Sequence, residues 1–237
     1  MALNKQVFRT RALTAVLFAV IMLAGLFING FTFIGLMAAI MIGCCYEMLK
    51  MMKLIRPGGG QLLVIPALAY VIIPIILMAD LGFVGTLLDG SRKTAKFINE
   101  GYYLLLPVLV ILSIWINDTM AYIVGSLIGK TPLSKISPKK TVEGTLGGII
   151  LAVVIMGLLG HFVPLIHESL DLMHVLIIAA ICGVFGTLGD LFESKLKRMA
   201  GLKDSGSFMP GHGGFLDRFD SLLLAAPAVW LYLKLLG

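Results

Sequence analysis

Long apolar runs separated by short polar segments make up most of the chain. The runs cover residues 12–29, 31–49, 61–79, 102–128, 144–166, 172–192 and 219–236. A transmembrane helix needs about 20 mostly apolar residues, so each run has roughly the length of one span. The pattern therefore predicts an all-α polytopic integral membrane protein with about seven to nine transmembrane helices.

Two stretches leave the number of helices open. The run at 102–128 carries Asn117 and Asp118, so it is either one tilted helix or a helix broken near that pair. The stretch at 80–101 mixes apolar residues with Arg92, Lys93, Lys96 and Glu100. It is expected to form an interfacial helix or loop, or an eighth, short span.

Composition narrows the class of protein. Of 237 residues, 59% are hydrophobic and 14% are charged, and the mean hydropathy is +0.99. Soluble domains carry about 25% charged residues, so a water-soluble globule is excluded. The three cysteines lie inside apolar runs without the spacing of a zinc site, which predicts packing residues rather than disulfides or metal ligands.

The distribution of positive charge predicts the orientation. The net charge is +6, and if the N-terminus is cytoplasmic, 15 of the 19 lysines and arginines fall on the cytoplasmic side of a seven-span arrangement. The excess of positive charge is therefore a sign of topology in a lipid bilayer, not of nucleic-acid binding. An extra span between residues 80 and 100 would invert the N-terminal half.

Polar residues inside the apolar runs concentrate in the second half of the chain. We therefore expect one membrane domain in which residues 1–100 form a scaffold of transmembrane helices and residues 101–237 form a catalytic region. No convincing internal repeat is visible, which disfavours a transporter built from inverted repeats.

The segment from Gly189 to Asp220 holds four carboxylates close to the ends of two runs. Asp190, Glu193 and Lys197 share one helical face by their spacing. Asp217 and Asp220 are again three residues apart, beside Arg218. Acids at a membrane boundary are costly unless they bind something, and oxygen ligands favour a hard cation such as Mg²⁺ over zinc.

A glycine-rich loop lies between these acids. It reads PGHGG over residues 210–214, and His212 in it can donate a hydrogen bond to phosphate. Several cations surround it in the sequence: Lys195, Lys197, Arg198, Lys203 and Arg218. A metal site, many cations and a glycine loop are the components of phosphoryl or nucleotidyl transfer.

A second cluster of polar residues precedes the fifth run. Its phosphate-binding candidates are Ser137, Lys139, Lys140 and Thr141. Glycines 144, 147 and 148 follow at the start of a helix, whose N-terminal dipole favours anions. Asp118, about seven residues inside its run, needs a partner or a metal, unless it makes a helix-to-helix hydrogen bond.

These motifs resemble those of a known family. The run Ser194-x-x-Lys197-Arg198, Lys203-Asp204-x-Gly206 and Pro210-x-His212-Gly213-Gly214-x-x-Asp217-Arg218-x-Asp220 is similar to the signature of the phosphatidate cytidylyltransferases, or CDP-diacylglycerol synthases. The segment from Asp118 through Ser137-Pro138-Lys139-Lys140-Thr141-x-Glu143-Gly144 also resembles that family. The resemblance covers roughly residues 115–225.

The resemblance implies an activity and a location. The reaction would be CTP plus phosphatidic acid to CDP-diacylglycerol plus pyrophosphate, with Mg²⁺ as cofactor and a second metal ion left open. The enzyme would be a multi-pass protein, a homodimer, in the bacterial inner membrane with its active site facing the cytoplasm. The phosphate of phosphatidic acid is already an anionic nucleophile, so neither a catalytic serine nor a strong general base is required.

The resemblance and the residue types together suggest roles. Asp190, Asp217 and Asp220 would hold the metal, with Asp118 and Glu193 as further candidates. Binding of CTP phosphates or of pyrophosphate would fall to Lys197, Arg198, Lys203, Arg218 and His212. The remaining phosphate or lipid-headgroup contacts would come from Ser137, Lys139, Lys140, Thr141, Ser194, Gly213 and Gly214.

Two other functions stay open at this point. A CTP-dependent polyprenol or lipid kinase would transfer the terminal phosphate and would need a base near the acceptor hydroxyl. A cation-coupled transporter would place acids such as Asp118 and Asp190 in the membrane, but it has no need of a basic glycine-rich loop.

Overall fold

The computed structural model describes residues 5–57, 61–83, 103–209 and 213–236 of the chain. Within these ranges it contains helices and no strand, with only two isolated β-bridges. The helices are α1 (Lys5–Phe27), α2 (Gly30–Ile55), α3 (Gln61–Leu81), α4 (Leu105–Ile128), α5 (Val142–Phe162), α6 (Pro164–Ser169), α7 (Leu172–Met199) and α8 (Leu216–Leu236).

The seven long helices correspond one to one with the seven apolar runs. Five of them, within α2, α3, α4, α5 and α7, are long and apolar enough to cross a membrane, and α1 has a shorter apolar part at Ala12–Phe27. Large apolar side chains such as Phe31, Leu127 and Phe162 are exposed on the outside of the bundle, as lipid contact requires. The fold class, an all-α polytopic membrane protein, is confirmed.

Several helix boundaries differ from the ends of the apolar runs. Helix α4 runs unbroken past Asn117 and Asp118, so the alternative of a broken helix is wrong. Helix α5 ends at Phe162, within the fifth run, and Pro164 then starts the short α6, since proline is favoured in a first helical turn. Helix α7 continues seven residues beyond its run, to Met199. The expectation for residues 80–101 lies mostly outside the described residues.

Successive long helices alternate in direction, so every second connection lies at the same end of the bundle. Helices α4 and α5 pack closely against each other, and so do α7 and α8. Helix α2 contacts α3, α7 and α8. The C-terminal parts of α2, α4 and α7 therefore meet the N-terminal parts of α5 and α8, and this end of the bundle holds nearly all of the polar residues singled out above.

The glycines at the start of α5 have a packing role. A Cβ at Gly144 would lie 2.7 Å from the Ala121 carbonyl oxygen, and a Cβ at Gly148 would lie 2.8 Å from the Asn117 carbonyl oxygen. Contacts this short with backbone atoms do not occur, so both positions allow α4 and α5 to approach closely. Gly147 packs likewise against Val124, which explains these glycines without a bound anion.

Candidate functional site

The polar end of the bundle begins with an ion pair between two elements far apart in sequence. Lys140, in the connection before α5, contacts the carboxylate of Asp190 near the end of α7. Asp190 also accepts a hydrogen bond from Ser194 Oγ at 3.3 Å. Burial lowers the pKa of the Lys140 ammonium below its usual value, although the carboxylates of Asp118 and Asp220 act in the opposite direction. The two predicted clusters thus form one site.

Asp217, in the first turn of α8, is the most highly bonded acid of the site. Its Oδ2 accepts from the backbone N–H groups of Ser205 and Gly214, each at 2.8 Å. Its Oδ1 lies 2.6 Å from Lys197 Nζ. Both oxygens are therefore engaged by protein donors, and Asp217 fastens the loop between α7 and α8 to both helices.

Lys197 also pairs with Glu193, one helical turn earlier on α7. The predicted shared face of Asp190, Glu193 and Lys197 is confirmed. Glu193 is fully buried, and neither of its carboxylate oxygens accepts a hydrogen bond in the described structure. A buried carboxylate with only one cation beside it retains capacity for a further positive ligand.

Two further acids face this region. Asp220, one turn along α8 from Asp217, accepts the Ser221 N–H at 2.7 Å through its Oδ1. Its charge is repelled by the carboxylates of Glu193 and Asp118. Asp118 receives a hydrogen bond from the buried Asn117 amide at 3.2 Å, and Asn117 Oδ1 has no partner in the described structure.

The connection between α4 and α5 is held by its own polar residues. Thr141 caps α5, accepting from the Gly144 N–H at 3.1 Å. The Glu143 carboxylate accepts from the N–H groups of Lys130 and Thr131 at 3.1 Å. Ser137 accepts the Lys140 N–H at 3.1 Å through its backbone oxygen, which forms a turn, and Lys139 is exposed beside it. This ordering presents Lys140 towards Asp190 of α7.

The remaining predicted cations lie on the rim of the site. Arg198 donates to the Leu202 carbonyl at 2.9 Å, and Lys203 and Arg218 are exposed.

In the glycine-rich loop, Gly213 has a φ of 87°, which favours glycine, and the Met209 N–H donates to its carbonyl at 2.9 Å. His212 lies outside the described residues.

Glu47 of α2 belongs to the site, although the sequence reasoning did not single it out. It is 4% exposed, and its carboxylate accepts from Ser205 Oγ at 2.6 Å and from the Phe215 and Leu216 N–H groups at 3.0 and 2.9 Å. The available signal was a solitary acid inside the apolar run at 31–49, since a charged residue in a span is a functional candidate by default.

The donor set suits a hard cation only in part. Among the residues that the structure describes, no three His, Cys, Asp or Glu side chains converge as a ready metal site. However, Mg²⁺ at phosphoryl-transfer sites is usually held by one or two carboxylates together with substrate phosphates and water. Glu193 Oε1, which accepts no hydrogen bond from the described residues, and the repulsion of Asp220 by Glu193 and Asp118 fit that mode of binding.

The fold and the site define a class: a helical integral membrane protein with lysines and carboxylates interleaved at one end of the bundle. A family model described as "Cytidylyltransferase family" matches residues 61–236. The chain therefore belongs to the cytidylyltransferase family.

Curated relatives carry one activity in their names. The chain is 45% identical over 127 residues to the phosphatidate cytidylyltransferase of Staphylococcus haemolyticus, covering 53% of this chain and 46% of that protein. It is 46% identical over 123 residues to that of Bacillus subtilis, covering 52% and 45%, and 46% identical over 136 residues to that of Synechocystis, covering 56% and 44%. The chain thus matches about half the length of these relatives.

Proposed function

We propose that this chain transfers the cytidylyl group of CTP to phosphatidic acid, giving CDP-diacylglycerol and pyrophosphate. The observation that carries the proposal is the joined network of Lys140 with Asp190 and Lys197 with Asp217 at one end of the bundle, in a member of the cytidylyltransferase family. Its relatives named phosphatidate cytidylyltransferase support the choice of substrates.

The bond changes place clear demands on the site. An oxygen of the phosphatidic acid phosphate attacks the α-phosphorus of CTP, and the bond from that phosphorus to the oxygen bridging to the β-phosphate breaks. Pyrophosphate leaves with the electron pair, and the nucleophile has no proton to lose. The work of the protein is to bring two polyanions together in line and to stabilise the departing charge.

The residues of the network supply those functions. Lys140 and Lys197 offer positive charge inside the site, and Lys139, Arg198, Lys203 and Arg218 offer it at the rim. Oxygens of Asp190, Asp220, Glu193 and Asp118 would hold Mg²⁺, and Asp217 would be shared between the ion and its protein donors. When bound, Mg²⁺ would neutralise charge on the triphosphate and on the leaving pyrophosphate.

The position of the network also suits a lipid substrate. The network lies where five helices end, so a headgroup at the membrane surface can reach it while its acyl chains stay beside the apolar helices. We place this face in the cytoplasm of a bacterial plasma membrane, because the basic loops of the chain gather there. A homodimeric assembly is part of the same proposal.

One assay tests the proposed function. Detergent-purified protein is incubated with CTP labelled on the α-phosphate, phosphatidic acid and Mg²⁺, with and without EDTA. We expect label in a lipid that comigrates with CDP-diacylglycerol, and only when the divalent cation is present. Transfer of label from γ-labelled CTP instead would identify a lipid kinase, and no transfer to any lipid by folded protein would overturn the proposal.

A further inference from the structure

The Glu47 carboxylate anchors the loop that carries much of the candidate site. We propose that Glu47 is a positioning residue for cytidylyl transfer: by holding Ser205 and the start of α8 it sets the geometry of Asp217 and Lys197. This inference rests on the proposed function. Glu47 lies before residue 61, outside the segment that the family model matches.

Glu47 fits between two parts of the loop that joins α7 to α8. The three donors to Glu47 come from both ends of the loop, Ser205 at one end and Phe215 and Leu216 at the other. The N–H groups at the start of a helix have no partner within the helix, and a carboxylate there satisfies them and favours the helix dipole. Glu47 therefore acts as a cap for α8 supplied by a different helix.

Glycines at three positions allow α2 and the loop to approach each other closely. A Cβ added at Gly206 would lie 2.1 Å from Glu47 Oε1, and one at Gly214 would lie 2.2 Å from Glu47 Oε2. One turn before Glu47, a Cβ at Gly43 would lie 2.5 Å from the Phe215 ring. The loop thus packs directly against the carboxylate at both glycines, and a side chain at either position would displace Glu47 from its donors.

Ser205 links Glu47 to the groups proposed to act on substrate. Ser205 Oγ lies 2.6 Å from Glu47 Oε2 and 3.0 Å from Asp217 Oδ2. A hydroxyl has one proton, and the shorter distance assigns it to Glu47, which leaves the Ser205 and Gly214 N–H groups to orient Asp217. Asp217 in turn fixes Lys197 Nζ at 2.6 Å. The chain of contacts runs from Glu47 through Ser205 and Asp217 to Lys197.

The test separates positioning from simple stabilisation. Glu47→Gln keeps the shape of the side chain but places an amide against N–H donors. We expect kcat to fall about tenfold or more, because small misplacements of reacting groups are costly, while KM for phosphatidic acid changes by less than about threefold. Tyr46→Phe, at the exposed neighbouring position, is the matched control and should keep wild-type kcat.

A double-variant cycle tests the route through Ser205. Should Glu47→Gln not fold, Ser205→Ala alone is the second variant: it should lower kcat, and wild-type kcat in folded Ser205→Ala protein would overturn the inference. Ser205→Ala removes the hydroxyl without removing the backbone donor to Asp217. If Glu47 acts through Ser205, the kcat of the double variant should stay within about twofold of the poorer single variant. The inference would be overturned if the losses of kcat in the two single variants multiplied in the double variant. Wild-type kcat in folded Glu47→Gln protein would also overturn it.

Hydrogen exchange distinguishes failure of the inference from failure of the proposed function. Glu47→Gln should accelerate exchange of peptides containing Phe215 and Leu216 and leave α4 and α5 unchanged. If the wild-type protein makes no CDP-lipid, the proposed function is overturned, and the positioning role in that reaction falls with it. Active wild-type protein with unchanged exchange in the variant would overturn the anchoring role of Glu47 alone.

Discussion

Lys197 Nζ lies 2.6 Å from Asp217 Oδ1 and also contacts the fully buried Glu193, so one ammonium neutralises acids from α7 and α8. The two helices are joined by a loop, and the ion pair of Lys197 with Asp217 connects the end of α7 to the start of α8. The charges of Glu193 and Asp217 are therefore balanced chiefly by Lys197, whose removal leaves these two acids near each other without their ion-pair partner.

Replacing Lys197 by methionine should damage both stability and activity. Loss of one partner of a buried ion pair leaves the others uncompensated and costs about 3 to 5 kcal/mol. We expect a clear fall in the unfolding temperature in detergent and loss of CDP-lipid formation. Lys195→Met, at an exposed position two residues earlier, is the matched control. Equal unfolding temperatures for the two variants would contradict the prediction.

Asp217 and Asp220 should respond differently to Mg²⁺ when each is changed to asparagine. Asp217 has both oxygens engaged by protein donors, whereas among the described residues Asp220 accepts one hydrogen bond, from Ser221 N–H. Asp220→Asn should raise the Mg²⁺ concentration for half-maximal rate by at least about tenfold. Asp217→Asn should lower kcat even at saturating Mg²⁺.

Titrations of initial rate against Mg²⁺ for the two variants and the wild type check this contrast. Normal Mg²⁺ dependence in Asp220→Asn would remove Asp220 from the proposed ligands. A shift seen with Asp217→Asn alone would reverse the assignment.

Gly148→Ala should destabilise the contact between α4 and α5, whereas Gly157→Ala should be tolerated. The Gly148 Cβ would meet backbone atoms of Asn117 and Ala121 at 2.8 and 2.9 Å, which have no room to yield. The Gly157 Cβ would meet the tip of the Leu176 side chain at 2.8 Å, which can rotate away. Overpacking costs about 1 to 3 kcal/mol, so thermal unfolding should rank Gly148→Ala clearly below Gly157→Ala.

Gly214→Ala should impair activity by disturbing the loop. Its Cβ would lie 2.2 Å from the Glu47 carboxylate, whereas at Gly35, on the same helix as Glu47, nothing lies within 4 Å of an added Cβ. We expect Gly214→Ala to lose most CDP-lipid formation and Gly35→Ala to keep it. Wild-type activity in a folded Gly214→Ala protein would show that the loop does not need this close approach.

The positions of the helices were predictable because apolar run length alone sets them. The spacing of Asp190, Glu193 and Lys197 also identified their shared face, since residues three and four apart are neighbours on a helix. The extension of α7 to Met199 was not predictable from hydropathy. Its last turns are polar because they carry the site, and an apolar run ends before such turns begin.

Glu47 was not predicted because its partners lie far away in sequence. Its hydrogen bonds reach residues 158 to 169 positions later, and no local pattern records such contacts. The glycines of α5 show the opposite difficulty. A cluster of glycines beside lysines suggests a phosphate-binding loop. However, close packing of α5 against Ala121 of α4 also requires residues without a side chain. The division into a scaffold and a catalytic half remains a prediction, with Glu47 linking the two.

The long reach of Glu47 has a consequence during biosynthesis. Glu47 is translated 158 residues before Ser205, a delay on the order of 10 to 30 s at ordinary elongation rates. Throughout that interval an acid within an apolar helix has none of its final donors, although such a group in a bilayer is costly. Nascent α2 must therefore hold Glu47 near the water boundary or against a temporary partner until α8 is made.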